Sequence, residues 1–231
     1  MKLKIPFINY KNYIVLKCYH PVKYVAECAP IIISSKLPAY PKDIRNEHQE
    51  ATFKMCYGNI ASLKTSATLP SWYSFKMEVK NGKVGCDVSD PTPQMGSVDF
   101  HHGLDAAYGC KHMFLAKFTS AWAIEEDTGV PFVMAQHIRN NTAMRLPSGV
   151  LNFKYQHSLN VFNLVDKHDH TYSVNVGTPI AALYPMSEKR LYVESYHDPD
   201  KANELYTNDA ARPYFVGSMI KRMYDEKRLG K

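Results

Sequence analysis

Histidines are the residues whose type and spacing come nearest to a reactive site in this sequence. His168 and His170 flank Asp169, and residues spaced in this way on a β-strand point to the same face. Both imidazoles could then bind one metal ion, because imidazole is a common ligand of zinc and iron. The same stretch is also typical of a polar turn between strands at residues 159–165 and 171–176, and a turn requires no metal. We expect a hairpin turn here and no bound metal.

A catalytic metal centre would need further ligands. His101 lies in a stretch rich in glycine and histidine, and loops of this kind often carry functional groups. A non-haem iron centre uses two histidines and one carboxylate that face the same cavity, and His101 with Asp99 could contribute to such a set. The sequence therefore leaves open a metal-dependent, cupin-like oxygenase with iron or zinc. The chain has ten histidines, so three of them can fit a loose ligand pattern by chance. We therefore predict no cofactor.

No residue of the chain is predicted to be catalytic. Cys110 and His112 could form a nucleophile and a base, but the sequence shows no third group that would orient the histidine. The five cysteines include no pair with two residues between them, which excludes a zinc knuckle or a redox motif of that spacing. Phosphate-binding loops, dinucleotide fingerprints and nucleophile elbows are also missing from the sequence. We interpret the cysteines as small buried residues of a protein in a reducing compartment.

Composition favours a single β-rich domain. The 231 residues are 45% hydrophobic, which is enough for a sizeable core, and 16 tyrosines and 10 phenylalanines favour sheet over helix. The formal charge of +6 is modest and spread along the chain, whereas nucleic-acid-binding proteins concentrate basic residues in one stripe. Nucleic acid is therefore not an expected partner.

The N-terminal residues contain no apolar core of signal-peptide length, and no apolar run approaches the ~20 residues that span a membrane.

Short β-branched segments separated by turn residues predict the strands. Six of them follow one another as in a β-barrel or sandwich, at residues 114–124, 131–138, 150–155, 159–165, 171–176 and 180–184. We expect their inward-facing side chains to be Val150, Leu159, Val161, Val174, Val176, Ile180 and Leu183. Upstream, residues 71–79 alternate, with Trp72 on the polar face, and Asn81-Gly82 predicts a hairpin directly after them. Strands and helices do not alternate along the chain, so a parallel α/β sheet is not expected.

The last part of the chain has a different pattern. Asp198-Pro199-Asp200 predicts the start of a helix, with a capping acid and a proline in the first turn. Beyond Pro213, an apolar stripe with helical spacing consists of Tyr214, Phe215, Met219, Ile220, Met223 and Tyr224. Such a stripe either packs on its own domain or docks on a neighbouring subunit, and we predict docking because its residue types are enriched at interfaces. We divide the chain into a β-rich domain at residues 1–195 and a helical C-terminal extension at residues 196–231.

Four short motifs follow one another between residues 120 and 182: Ser120-Ala121-Trp122, Thr128-Gly129, Ser148-Gly149-Val150-Leu151-Asn152 and Gly177-Thr178-Pro179-Ile180-Ala181-Ala182. They resemble motifs of an uncharacterised family that occurs in tailed bacteriophages of marine bacteria and in bacterial genomes. The resemblance covers most of residues 30–190. It implies a bacteriophage context and no particular activity.

Two longer segments carry a second resemblance: Gly149-Val150-Leu151-Asn152-Phe153-Lys154-Tyr155 and Gly177-Thr178-Pro179-Ile180-Ala181-Ala182-Leu183. Their spacing and apolar pattern resemble the closing hairpins of the dUTPase-like β-clip fold, which implies a pocket at Asn152, Tyr155 and Arg139. The carboxylate that activates water in that family falls on Asn152, and an amide cannot act as a general base. The resemblance therefore implies a fold and predicts no dUTP hydrolysis.

The sequence as a whole predicts a mainly β protein, with a β-clip or jelly-roll-like barrel or sandwich and a helical C-terminal extension. The leading functional hypothesis is a non-enzymatic bacteriophage-type structural or protein-interaction protein that self-associates or binds other virion proteins. Its expected location is the host cytoplasm or the virion, and a membrane is not an expected partner. The alternatives are the metal-dependent oxygenase and a diverged dUTPase-like nucleotide-binding module.

Overall fold

The computed structural model describes residues 12–23, 31–32, 65–88, 98–101, 112–137, 144–210 and 228. The described strands and the helix that follows them are β1 (Tyr13–His20), β2 (Ile31–Ile32), β3 (Ala67–Pro70), β4 (Phe75–Lys80), β5 (Lys83–Val88), β6 (Val98–His101), β7 (Met113–Glu125), β8 (Phe132–Gln136), β9 (Gly149–Leu151), β10 (Ser158–Asp166), β11 (His170–Val174), β12 (Pro179–Pro185), β13 (Arg190–His197) and α1 (Pro199–Ala210). The predicted class, mainly β with a helix after the last strand, is confirmed.

The strands of the described ranges form three sheets. Sheet I joins β10, β7, β1 and β13 in that order, and β6 also pairs with β7. Sheet II has the order β11-β4-β5, and sheet III has the order β2-β3-β12-β8-β9. β7 is the centre of sheet I, because β10 pairs with it from Met113 to Ala123, while β6 pairs with its first part and β1 with its last residues.

Alternation of apolar and polar residues gives β1, β4 and β10 one buried face each. In β10 every second side chain from Leu159 to Val165 is buried, and β4 has the same alternation. These faces pack into one core, whose largest fully buried side chains include Trp72, Trp122, Phe118, Phe132 and Phe153. The six strands predicted between residues 114 and 184 are all present, with ends that differ by one to four residues.

The hairpin predicted at Asn81-Gly82 is confirmed. β4 and β5 are antiparallel, and their last pair, Lys80 with Lys83, leaves a two-residue turn. The φ angles of Asn81 and Gly82 are 50° and 69°. Positive φ at both central residues is the signature of a type I′ turn, whose twist matches that of the two strands.

Two chain segments cross side by side between sheet II and sheet III. β3 leads into β4, and β11 leads into β12. Between them, the backbone N–H of Ser71 donates to the carbonyl oxygen of Thr178 at 2.7 Å, and the N–H of Gly177 donates to that of Ser71 at 2.8 Å. The pairs β4–β11 and β3–β12 are thus parts of one bent two-stranded ribbon, with Gly177 at a φ of 82° at the bend.

Trp72 lies at this bend and is buried, so its predicted place on the polar face is wrong. Its indole packs edge-on against that of Trp122 in β7, with ring centroids 5.3 Å apart and an interplanar angle of 77°. Tyr73 makes a second edge-to-face contact with Trp72 at 5.5 Å. Alternation fails here because the chain turns a corner between two sheets, so successive side chains both meet the core.

The sequence pattern does not predict β13, a strand that adds a parallel pair to sheet I. β1 and β13 are parallel and in register over eight residues, from Tyr13 with Arg190 to His20 with His197. In β13 only Leu191 is buried. A strand whose side chains are mostly half-buried or exposed lacks the apolar alternation on which the prediction depends.

Two of the seven side chains predicted to point inward are exposed instead. Val150 is 67% exposed and Val176 is 48% exposed, while the other five are buried. In β9 the half-buried residues are Gly149 and Leu151, so the strand has the opposite face inward. Val176 follows the end of β11 at the bend of the ribbon.

α1 begins where the sequence predicts. Oδ1 of Asp198 accepts the backbone N–H of Lys201 at 3.0 Å, which is the N-cap arrangement. Ala202 and Leu205 are buried against Ala123 of β7. No helix in the described part of the chain is long and apolar enough to cross a membrane.

Asp209 fixes the other end of α1 to sheet I. Its Oδ2 accepts the backbone N–H groups of His157 at 2.9 Å and of Ser158 at 2.5 Å. These two groups lie at the start of β10, so the helix is bonded to the sheet at its end as well as packed on it.

The type I′ turn provides a first test. Gly82→Ala should lower the free energy of unfolding by about 1 kcal/mol, because alanine is disfavoured at positive φ. Gly85→Ala is the matched control. Gly85 lies in β5 without a positive φ and without atoms close to an added Cβ, so its replacement should leave stability unchanged or slightly higher. Urea denaturation of the two variants measures the difference, and equal effects would contradict the turn assignment.

Candidate functional site

The segment that contains His168 and His170 is a turn, but the expectation of a hairpin is wrong. β10 pairs with β7 in sheet I and β11 pairs with β4 in sheet II, so the turn carries the chain from one sheet to another. The side chain of His168 is 87% exposed, and its Nε2 is 3.8 Å from Oδ1 of Asp166. His170 is exposed, and its ring packs edge-on against Tyr172 at 4.6 Å. Two strands that follow one another in the chain need not pair. Their apolar pattern is the same whether they form a hairpin or belong to different sheets.

Asp169, between the two histidines, has a structural contact. Its Oδ1 accepts the backbone N–H of Asn81 at 2.8 Å, which ties the type I′ turn of sheet II to the segment that enters that sheet. Asp166 orders the same segment, because its Oδ1 accepts the N–H of His168 at 3.0 Å, and this bond lowers the pKa of the Asp166 carboxyl. The polar residues of this turn thus hold a crossing between two sheets.

Only the backbone of the third predicted metal ligand lies in the described part of the chain. His101 ends β6, where its backbone pairs with Leu115 of β7, and its side chain lies outside the described part. Asp99 of the same strand forms an ion pair with Lys117 at 3.4 Å. Within the described ranges, no three His, Cys, Asp or Glu side chains are close enough to hold a metal ion. That the protein has no cofactor stays a prediction.

Cys18 and Cys86 are free thiols. Cys18 is fully buried, and burial raises its pKa. Cys86 is half-buried, and burial raises its pKa to about 11. A thiol with a raised pKa is a poor nucleophile at neutral pH, so these two cysteines have a packing role. Cys110 lies outside the described residues, and its pairing with His112 stays untested.

Substitutions in the turn distinguish a structural role from metal binding. Asp169→Ala should lower the free energy of unfolding by about 1 kcal/mol, because it removes the acceptor of the Asn81 N–H. His168→Ala should change stability by less than about 0.5 kcal/mol, as is usual for an exposed side chain. Chemical denaturation with and without added zinc or iron measures both. A metal-dependent loss of stability in His168→Ala would instead support a metal site.

Glu126 organises the loop between β7 and β8. The residue is 1% exposed, and its carboxylate accepts the backbone N–H groups of Thr128, Gly129 and Val130 at 2.7–3.2 Å. The hydroxyl of Thr128 donates a fourth hydrogen bond at 2.5 Å. A buried carboxylate is stable when it is fully hydrogen-bonded in this way, and here it fixes the shape of the loop.

Asn152, one of the residues of the predicted pocket, joins this loop to the segment after β9. Its Nδ2 donates to the carbonyl oxygen of Gly129 at 3.0 Å, and its Oδ1 accepts the N–H of Lys154 at 3.2 Å. Tyr155 is 8% exposed and lies beside Lys154, whose Nζ is 5.4 Å from the ring centroid. The structure thus places Asn152 and Tyr155 in one segment, with both ends of the Asn152 amide engaged. Arg139 lies outside the described residues.

The Asn152 amide can be tested with a matched pair. Asn152→Asp should lower the free energy of unfolding by about 1–3 kcal/mol, since a carboxylate cannot donate to the carbonyl of Gly129. Asn160→Asp is the control. Oδ1 of Asn160 accepts a hydrogen bond from the Thr119 hydroxyl at 3.2 Å, and a carboxylate can accept the same bond. Thermal or urea unfolding compares the two, and an Asn152→Asp variant that is stable and hydrolyses dUTP would refute the structural role.

An apolar surface that the sequence analysis did not find lies on the outer face of sheet III. Val150, Val133 and Tyr184 are cross-strand neighbours on β9, β8 and β12. Met186 follows two residues after Tyr184, where its N–H donates to the carbonyl oxygen of Pro131 at 2.9 Å. Val150 is 67% exposed and Met186 is 60% exposed. We call Val133, Val150, Tyr184 and Met186 the outer patch.

The sequence does contain a signal for this patch. Phe132 and Met134 are the larger apolar residues of β8, and both are buried. If they are placed inward, Val133 between them must face outward. The outward position of Val150 then follows from its pairing with Val133, but this pairing cannot be read from the sequence.

The residues of the predicted docking helix are outside the described ranges. These are Tyr214, Phe215, Met219, Ile220, Met223 and Tyr224. Their role in docking stays a prediction.

Comparison with known proteins gives weak structural similarity and no family assignment. No protein-family model matches the chain, and no curated protein matches it. Among solved structures, a mutant dUTPase from phage phi11 of S. aureus, reported with a structural Mg(II) ion, is 10% identical. The alignment covers 74% of this chain and 98% of that chain, with a TM-score of 0.31. A likeness at this level assigns no activity, and the bacteriophage family stays a prediction.

Proposed function

We propose that the protein is a non-enzymatic protein-interaction protein of bacteriophage type that self-associates through sheet III. The observation that carries this proposal is the outer patch, which extends to the edge strand β9. Monomeric proteins usually avoid a combination of exposed apolar side chains and an open sheet edge, because such surfaces bind other chains.

The edge itself supports the proposal. β9 ends sheet III, and among the described strands it pairs only with β8. An edge strand presents backbone N–H and C=O groups that another strand can pair with, and proteins often protect such edges with charged residues or proline. The three residues of β9 are Gly149, Val150 and Leu151, which include neither. The side chain at the centre of this edge is apolar and exposed.

A second copy of the chain fits this edge because the outer patch is self-complementary. If two β9 strands pair antiparallel about a twofold axis, the row Tyr184, Val133, Val150 of one copy continues into the same row of the other. Such an isologous contact is the commonest arrangement of homo-oligomers. It would remove apolar surface from water at a gain of about 25 cal/mol per Å² and pair the free edge.

Within the described ranges, residues proposed for the other functions make structural contacts. The amide of Asn152 joins two loops, and the turn around His168 and His170 is exposed and held by its aspartates. For this reason we propose a contact surface ahead of the nucleotide-binding module and the metal-dependent oxygenase. The bacteriophage context, the virion or host cytoplasm as location, and other virion proteins as partners are proposed from the motif resemblance alone.

Val150→Lys tests the contact. A lysine at the centre of β9 places a charge where the two edges would meet, which is a device that natural edge strands use against pairing. The wild-type chain should form a dimer or a larger assembly. The variant should dissociate at least about tenfold more readily, which corresponds to about 1.4 kcal/mol. Sedimentation equilibrium and light scattering over a range of concentrations measure both.

Val176→Lys is the matched control, because Val176 is also an exposed valine but lies at the bend of the ribbon, outside the outer patch. It should leave the assembly intact. A wild-type chain that is monomeric at every concentration, or an equal effect of the two variants, would contradict the proposal. Assembly that survives Val150→Lys would leave the C-terminal stripe as the remaining predicted contact.

A further inference from the structure

His20, the last residue of β1, is a buried histidine, and one of its ring nitrogens has no partner within the described part of the chain. The residue is 0% exposed, and its Nδ1 is 2.9 Å from the carbonyl oxygen of Val22. A carbonyl can only accept, so Nδ1 carries the proton, and Nε2 of the neutral ring is a bare acceptor. Nε2 is buried and has no hydrogen-bond partner among the described residues. A second proton on this ring would therefore be buried with no acceptor from the described ranges.

His197 lies beside His20 at the end of the parallel strand pair. The two rings stack with centroids 5.6 Å apart and an interplanar angle of 28°. One residue earlier, Tyr19 stacks on Tyr196 in the same way at 5.4 Å. In-register pairing places these like residues side by side. Neutral imidazoles can pack at this distance, whereas two imidazolium ions repel one another.

The histidine pair is bonded to the start of α1. The backbone N–H of Asp198 donates to the carbonyl oxygen of His20 at 3.2 Å, and the Asp198 side chain caps the helix at Lys201. Movement of His20 away from His197 would break the first bond and displace the cap. The N-terminus of a helix also disfavours nearby positive charge, because its backbone N–H groups carry the positive end of the helix dipole.

We propose that His20 and His197 form an acid-sensitive latch, which closes the end of sheet I at neutral pH and releases the end of β13 and the first turn of α1 when it is protonated. Opening would separate the ends of β1 and β13, while Asp209 keeps the other end of α1 bonded to the start of β10. This device is independent of the outer patch, which lies in sheet III.

The charged groups of the neighbouring strands face away from the latch. Lys17 is an odd-numbered residue of β1 and points to the opposite face from His20. Glu125 of β7 and Glu194 of β13 pair with Lys17 on that opposite face. At the start of α1, Asp198 and Asp200 are exposed, and Asp198 accepts the helix N–H described above.

The direction of the pH dependence follows from the His20 environment. Burial lowers the pKa of His20, the hydrogen bond to Val22 partly opposes this, and the charge of His197 lowers it further. The open chain therefore binds a proton more readily than the closed one once the pH falls below about 6.5. The latch contributes its full stability above this pH and loses it as the pH falls towards the folded pKa. One such site changes the opening equilibrium by up to about tenfold per pH unit.

Hydrogen exchange on the full chain tests the latch between about pH 7.5 and 5.5, the range that spans the ordinary histidine pKa. After correction for intrinsic exchange, amide protection in β13 and in the first turn of α1 should fall by up to about tenfold per unit below pH 6.5. His20→Asn should abolish this fall, because its amide can still donate to Val22 but does not titrate. His168→Asn, which replaces an exposed histidine, should keep the wild-type pH dependence.

A second variant covers the case in which His20→Asn does not fold. His197 is exposed, so His197→Asn should fold, and it should reduce the loss of protection because the second charge is gone. Protection in β13 and α1 that does not change with pH in the wild-type chain would overturn the proposal. An equal fall in the wild-type chain and in both His20→Asn and His197→Asn would overturn it as well.

Discussion

The edge-to-face contact between Trp72 and Trp122 joins the three sheets of the described chain. Trp122 belongs to β7, the centre of sheet I, and Trp72 lies in the segment that passes from sheet III to sheet II. Both indoles are buried, and neither N–H has a hydrogen-bond partner in the described ranges. The junction is therefore held by packing. Truncation of a buried tryptophan to alanine costs about 3–5 kcal/mol, which is a large share of the 5–15 kcal/mol that stabilises a typical domain.

Local chemistry explains which parts of the fold the sequence predicts. The turn at Asn81-Gly82 and the helix start at Asp198 each depend on a few adjacent residues, and both are where the sequence places them. The six strands between residues 114 and 184 follow from their apolar pattern. The assignment of strands to sheets depends on partners far apart in the chain, so the parallel partner of β1 and the outward face of Val150 could not be predicted.

The candidate sites differ from the sequence prediction for a related reason. The sequence draws attention to Asn152 and to the turn at His168, but it does not show their contacts, with Gly129 and through Asp169 with Asn81, which cross between segments. His20 is the clearest case of a contact that the sequence does not show. It is an isolated histidine at the end of an apolar strand, and nothing in the sequence relates it to His197, which lies beside it only because β1 and β13 pair in register.

The pairing of β1 with β13 also bears on how the chain folds during its synthesis. Residues 21–189 lie between the two strands, and at about 5–20 residues per second the ribosome needs roughly 10–35 s to make them. β1 leaves the ribosome first and must wait for its parallel neighbour for this whole interval. Such distant contacts slow folding. A nascent chain that has completed sheets II and III would still have an open side on β1, where chaperones or other strands can bind until the last strand emerges.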